Sequence, residues 1–211
     1  DFIMLDGCNM AMVSVGYEIR DYAGVMTASE ETEPGVVVRY AQFLSRLKSS
    51  PAMSAEELGY IAVDAYKRYF VEMNGDNEGA PATQSAVKLY KMKEFRERLD
   101  EWIVYAYGCE KSVIKKAILE AKFFGEEPDY KDFYEFVRII TYNTKNSKLS
   151  DSGKKLLSYF EKELVILAWS EDARGNGLSI YIPRKYNPLY DKLAFSKDGG
   201  WDEFIKFISR I

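Results

Sequence analysis

Asp6 and Cys8 stand two residues apart in Asp6-Gly7-Cys8-Asn9-Met10, and no other pair in the chain suggests chemistry so directly. On an extended strand that spacing turns both side chains to one side. Gly7 between them lets a bound molecule come close to the backbone. A thiolate attacks carbonyl carbon to give an acyl-enzyme. A neighbouring carboxylate disfavours the thiolate, so Asp6 is a poor activator. It suits a cationic substrate better, above all a guanidinium held by two parallel contacts. Each residue also has a plain structural alternative. Cys8 can be a small buried hydrophobe, and Asp6 can cap a following helix, whose N-terminus favours negative charge. The 211 residues contain no histidine, so a nucleophilic Cys8 needs its base from outside this polypeptide.

The elements that would position this pair are legible as a pattern. Residues 1–8 read as a strand, built on the apolar run Phe2-Ile3-Met4-Leu5. Residues 9–22 read as a helix, broken at Gly24, and Val25 to Ser29 read as a second strand. Strand, helix, strand in so short a span is a βαβ unit. It places Cys8 at the carboxyl edge of the sheet, where ligands bind in open α/β folds. Ser29, Glu30 and Glu31 follow the second strand at that same edge. Ser29 and Glu31 are therefore candidates for substrate contact, with a solvated acidic loop as the alternative.

Beyond residue 38 the pattern turns helical. Ser54-Ala55-Glu56-Glu57 is a capping-box signature opening a helix with a wide apolar face. A long helix is expected from about Thr83 to Tyr107, with shorter ones at 111–124, 129–142 and 150–168. Trp102, Phe123, Phe124, Phe133, Phe136 and Phe160 are the expected core of this block. Gly177 to Pro183 reads as a strand stopped by proline, and Trp201 to Ile208 as a last helix. The fold class is thus α/β: part of a sheet over 1–38, then a largely helical domain over 39–211 with a returning strand near 178–182.

Composition narrows the function. A net charge of −4 is unlike the basic surface of a general nucleic-acid binder. No apolar run approaches the roughly 20 residues that span a bilayer. Two cysteines make no disulfide framework, and Cys109 reads as packing. The chain opens on Asp1 inside a strand-like run, the expectation for a processed subunit, and shows no targeting signal. Asn74 to Gly79 alternates oxygen ligands somewhat like a calcium loop, but Ser85 stands where the twelfth-position glutamate would be. A plain loop is the better reading. There is no phosphate loop, no HExxH and no CxxC pair.

Three blocks together resemble the clostripain family of cysteine peptidases, in the caspase-like clan. They are Leu5 to Met10, Met26 to Gly35 (which contains Ser29-Glu30-Glu31-Thr32-Glu33-Pro34-Gly35), and Gly177 to Pro183 with Trp201-Asp202-Glu203-Phe204. The resemblance implies a caspase-like sheet fused to a helical C-terminal domain. It implies an endopeptidase cutting after Arg or Lys, with Cys8 as nucleophile and Asp6 in an acidic pocket for the basic P1 side chain. It further implies a self-cleaved precursor whose light chain carries the histidine, secretion or a cell-envelope location, no required cofactor, and calcium as an optional one. Gly7 and Asn9 replace the commoner Ala and Leu, and Val36-Val37-Val38-Arg39-Tyr40 departs from relatives, so a second acidic pocket residue does not carry over. The rival readings are a non-catalytic binding module on the same fold and a helical interaction protein.

Overall fold

A computed structural model describes residues 1–33, 40–73 and 81–211. The calcium-like loop at 74–79 and most of the departing segment at 36–40 lie outside the described residues.

Four strands form the main sheet: β1 (Phe2–Met4), β2 (Val25–Ala28), β3 (Thr83–Lys88) and β6 (Val165–Ser170), in that spatial order. β1 and β2 run parallel, with Phe2 opposite Val25 and Met4 opposite Thr27. β3 lies antiparallel to both β2 and β6. Between β1 and β2 the chain forms α1 (Val13–Glu18), the crossover that a parallel pair needs. β2 is wholly buried, as is nearly all of β3, whereas β1 is half-buried. β1 has no strand on its outer side among the described residues. Such an edge leaves backbone groups available for pairing.

Two helices cover the same region of the sheet. α2 (Tyr40–Ser49) buries only Phe43, which meets the Phe2 ring at 5.9 Å. α3 (Ala55–Met73) lies over β2, β3 and β6. It can approach because Gly59 faces the sheet: a Cβ there would come within 2.9 Å of Val25 and 3.2 Å of Ala86. The expected capping box is present. The Ser54 N–H and hydroxyl both donate to Glu57 Oε2 (2.8 and 2.9 Å), and the Glu57 N–H donates to Ser54 Oγ at 3.2 Å. Ser54→Ala is expected to lower Tm by roughly 2–4 °C, read by thermal denaturation. An unchanged Tm would show that the cap adds nothing in this context.

In the second half of the chain α4 (Met92–Ala106), α5 (Lys111–Glu120), α6 (Phe133–Asn143) and α7 (Ser147–Tyr159) pack on one another, with a small antiparallel sheet of β4 (Phe123–Phe124), β5 (Glu127–Asp132) and β7 (Ser179–Tyr181) beside α6. α8 (Ala194–Asp198) and α9 (Trp201–Ile208) close the chain. Trp102, Phe95, Phe133, Phe136, Phe160, Trp201 and Phe204 form its aromatic core. Phe123 does not belong to that core: it is 50% exposed and packs under the Lys131 ammonium. No described helix is long and apolar enough to cross a membrane.

Four of the expected helices need correction, because 83–88, 123–124, 129–132 and 165–168 are strand rather than helix. The helix expected over 9–22 is confined to Val13–Glu18. No Gly or Pro separates β3 from α4, so the pattern reads straight through. Pairing on both sides then overrides local preference. β6 is the apolar run Val-Ile-Leu-Ala-Trp, which periodicity alone cannot tell from a buried helix. The main sheet therefore draws strands from both sides of residue 38.

Candidate active site

β1 ends at Met4, and the ladder continues only to Leu5, whose N–H donates to the Thr27 carbonyl (2.9 Å). Residues 6–10 then form a turn beyond the carboxyl ends of β1 and β2. Three bonds fix its path. The Asn9 N–H donates to the Glu31 carbonyl (3.1 Å), the Ala11 N–H to the Ser29 carbonyl (2.8 Å), and Asn9 Nδ2 to the Glu30 carbonyl (2.7 Å). Asn9 takes a left-handed conformation with φ 56°. Asn tolerates that region better than most side chains, because its short amide bonds locally. The sequence reading put Cys8 on the strand itself; the structure moves it into this turn.

Cys8 is exposed and free. Its sulfur accepts a bond from the Glu33 N–H at 3.4 Å. Among the described residues the Cys8 N–H itself has no acceptor. Asp6 is also exposed, and its Oδ2 accepts the Tyr40 hydroxyl at 2.7 Å. Behind Asp6 lies a small pocket with apolar walls from Met4, Phe43, Ala62 and Ala65 and a polar end at Tyr66 and Gln84. Cys8 and Asp6 thus share one sheet edge, as their spacing suggests.

A model of the clostripain family matches residues 1–207. The chain belongs to the clostripain family. Comparison with curated proteins returns no match. Among solved structures the chain is similar to a cysteine protease of B. fragilis, with TM-score 0.69 at 19% identity over 95% of this chain and 87% of that one. It is similar to an inactive zymogen protease from Parabacteroides distasonis (TM-score 0.67, 18% identity, 94% of this chain, 58% of the other). It is similar too to a secreted cysteine protease of Bacteroides thetaiotaomicron bound to an irreversible peptide inhibitor (0.69, 18%, 96% and 59%). The chain therefore spans somewhat over half the length of the two longer proteins. These likenesses establish the mixed α/β fold that the chain shares with those proteins.

Within this clostripain-family fold, Ser29 and Glu31 take positions other than those expected. Both side chains are buried. Ser29 Oγ lies 2.8 Å from Thr83 Oγ1 and donates to the Glu31 carbonyl at 3.0 Å. Glu31 Oε1 accepts both the Thr32 N–H and the Thr32 hydroxyl at 2.9 Å. Buried side chains at Ser29 and Glu31 do not reach the open edge, contrary to the substrate contact expected of both. They brace the turn instead, through the carbonyls that hold Asn9 and Ala11.

Thr83 and Glu33 were missed. Thr83 Oγ1 accepts the N–H groups of Glu30 and Glu31, each at 3.0 Å, and anchors the start of the acidic loop to β3. Reading residue 83 as the start of a helix hid it. Glu33 turns inward: its Oε2 accepts the Tyr66 hydroxyl at 2.9 Å and its Oε1 the Gln84 amide at 3.3 Å. Burial, and then the nearby Asp6 charge, push its carboxyl up to about 7, although the Tyr66 bond pulls the other way. Glu33 lies in an acidic run, which composition marks only as solvated. Cys109 is buried packing, its thiol pushed up to about 11 by burial and by Glu110. Among the described residues no three His, Cys, Asp or Glu side chains converge as a metal-holding group.

Proposed function

We propose that this chain carries the nucleophile of a cysteine endopeptidase that cuts after Arg or Lys. The observation that carries the reading is an exposed thiol at the carboxyl edge of a parallel strand pair, beside an equally exposed carboxylate. Cys8 Sγ attacks the carbonyl carbon of the scissile bond. The S–C bond forms, the C–N bond breaks, and the thiol proton passes through an imidazole to the leaving amine. Water then hydrolyses the thioester, releasing the acid and restoring the thiol. The Cys8 N–H, which has no acceptor among the described residues, donates to the developing oxyanion.

The imidazole comes from a separate light chain, made from the same precursor by self-cleavage. Two features favour this arrangement: the 211 residues lack histidine, and the outer side of β1 has no strand among the described residues. The light chain would supply both the missing base and the adjoining strand. One similar structure is an inactive zymogen, which agrees with activation by processing. Another is a secreted protease, which supports a location outside the cell. Calcium dependence stays a proposal from the resemblance alone, and no step above passes through a metal.

Asp6 receives the positive end of the P1 side chain. Asp6→Asn in the full, processed protein is expected to lower kcat/KM on Arg and Lys peptides by about 100-fold, the scale of a lost charge-assisted pair. The same variant should retain its melting temperature, because Asp6 is exposed. Unchanged cleavage after Arg would remove Asp6 from the pocket. Equal turnover of neutral and basic P1 peptides by the wild type would overturn the specificity altogether.

A further inference from the structure

The small sheet reaches back to the turn that carries Cys8 and touches it in two places. One is β7. The Ser179 N–H donates to the Ala11 carbonyl at 2.8 Å, its hydroxyl donates to the same oxygen at 3.3 Å, and Ser179 pairs with Met12 as a parallel bridge. The other is the β4–β5 hairpin. Phe124 stands opposite Glu127, which leaves Gly125 and Glu126 as a two-residue loop. Gly125 has φ 56°, the left-handed backbone that the first position of such a loop demands. A Cβ placed there would lie 3.3 Å from Glu31 Oε1, 3.5 Å from Thr32 Oγ1 and 3.6 Å from Asn9 Nδ2. The first of these distances is already tight. The loop is thus seated against the side chains that fix the path of the turn.

Those contacts reach the nucleophile by a short path. Asn9 follows Cys8 directly, and its amide lies between the Gly125 tip and the Glu30 carbonyl to which it donates at 2.7 Å. Cys8 has little anchoring of its own: its N–H has no acceptor among the described residues, and its sulfur meets only the Glu33 backbone. Its place is therefore inherited from Asn9 and Ala11. The main sheet holds the neighbouring loop through Thr83, so the turn is gripped from both sheets. A sulfur on an exposed side chain can rotate to meet a substrate. A backbone N–H cannot, and a misplacement of about 1 Å can cost two orders of magnitude in rate.

We propose that Gly125 is a positioning residue for the reaction at Cys8. Because it lacks a side chain, the β4–β5 hairpin seats against Asn9 and Glu31 and fixes the Cys8 N–H where the oxyanion develops. This rests on the reading of Cys8 given above, and it makes the second half of the chain a working part of the active site. Gly125 acts through Asn9 and Glu31.

The test compares two reactions of one sulfur in the full, processed protein. Peptide hydrolysis passes through an oxyanion. Alkylation by iodoacetamide does not: sulfur bonds to the methylene carbon as iodide leaves. Gly125→Ala is expected to lower kcat about tenfold with KM nearly unchanged, while Cys8 alkylation stays within about twofold of wild type. Alanine in left-handed backbone also costs stability. Ser54→Ala is the control for that loss. It weakens a helix start beside Lys88, at the opposite end of β3 from Thr83, and should leave kcat unaltered. Gly125→Asn separates crowding from backbone strain. Asn accepts the left-handed region, so this variant should fold even if alanine unseats the hairpin, and its larger side chain should lower kcat at least as far.

A wild-type kcat in Gly125→Ala overturns the role of Gly125; if Cys8→Ala is inactive in the same assay, the nucleophile reading still stands. Equal losses in hydrolysis and alkylation also overturn it, because the sulfur and not the oxyanion donor has then been displaced. So does a wild-type kcat in Gly125→Asn, which would lay the alanine effect on backbone strain alone. Peptide cleavage by Cys8→Ala at the wild-type rate defeats both readings together.

Discussion

Cys8→Ala is expected to lower peptide hydrolysis by about four orders of magnitude or more, the scale seen when a covalent nucleophile is removed. The loss should fall on kcat, because binding of the basic side chain depends on Asp6 and the pocket rather than on the sulfur. A biotinylated electrophile with lysine at P1 should label the wild type at Cys8 and leave the variant unlabelled. Cys109 serves as the internal control: it is buried and its thiol is held protonated into the alkaline range, so it should not react under the same conditions. The variant should fold normally. Cys8 is exposed and its only described partner is the Glu33 backbone. Equal turnover by wild type and variant would end the nucleophile assignment, and the non-catalytic module would then be the better account.

The parts of this fold that could be read from sequence are those with strong local signals. The unit from β1 to β2 announced itself through two apolar runs, a glycine break and a pair of reactive residues two apart. The Ser54–Glu57 box marked the start of α3 because its bonds lie within one helical turn. α9 was bounded by Gly200 before Trp201 and by its own apolar face. β3 escaped because its polar residues look unlike a core strand. Thr83, Gln84 and Ser85 are buried, and each has a partner remote in sequence: Thr83 the loop at 29–31, Gln84 the Glu33 carboxyl, Ser85 the Gly177 carbonyl at 2.6 Å. Only the folded chain creates those partners. For the same reason Asp6 and Cys8 were visible in the site while Glu33 was not. Their signal was spacing, and its signal is a contact across 33 residues to Tyr66.

Behind the active-site turn lies a pair of buried acids whose removal should have the largest effect on folding. Glu30 and Asp132 are both sealed from solvent. Asp132 caps α6 by accepting the Glu135 N–H at 2.7 Å, and it also accepts the Asn176 backbone N–H (2.8 Å) and side-chain amide (3.0 Å). Glu30 accepts the Gly177 N–H at 2.9 Å and so ties the loop under Cys8 to the segment leading into β7. Asp132→Ala would strip three donors of their acceptor and remove a helix cap. Roughly 3 kcal/mol of stability should be lost, visible as a Tm lower by roughly 6–12 °C. A loss under about 1 kcal/mol would mean that water or a neighbour takes over the role of Asp132.

The same pair makes stability depend on pH. Burial, and then the nearby Asp132 charge, push Glu30 well above its usual 4.5, while burial raises Asp132 to about 7 despite the donors around it. An acid whose folded value is raised contributes its full stability below the unfolded value and loses it as pH rises through the folded one. The wild type should therefore grow less stable from about pH 4 upward through 7 and beyond. Glu30→Gln keeps an oxygen for Gly177 and has no proton to lose. Its Tm should decline less between pH 5 and 8 than that of the wild type, the residual slope coming from Asp132 and Glu33. Parallel curves would show that Glu30 does not titrate differently on folding. A shallower curve would mean that the loop holding the thiol is pinned by a carboxyl that must stay uncharged, so the active-site turn is firmest on the acid side of neutrality.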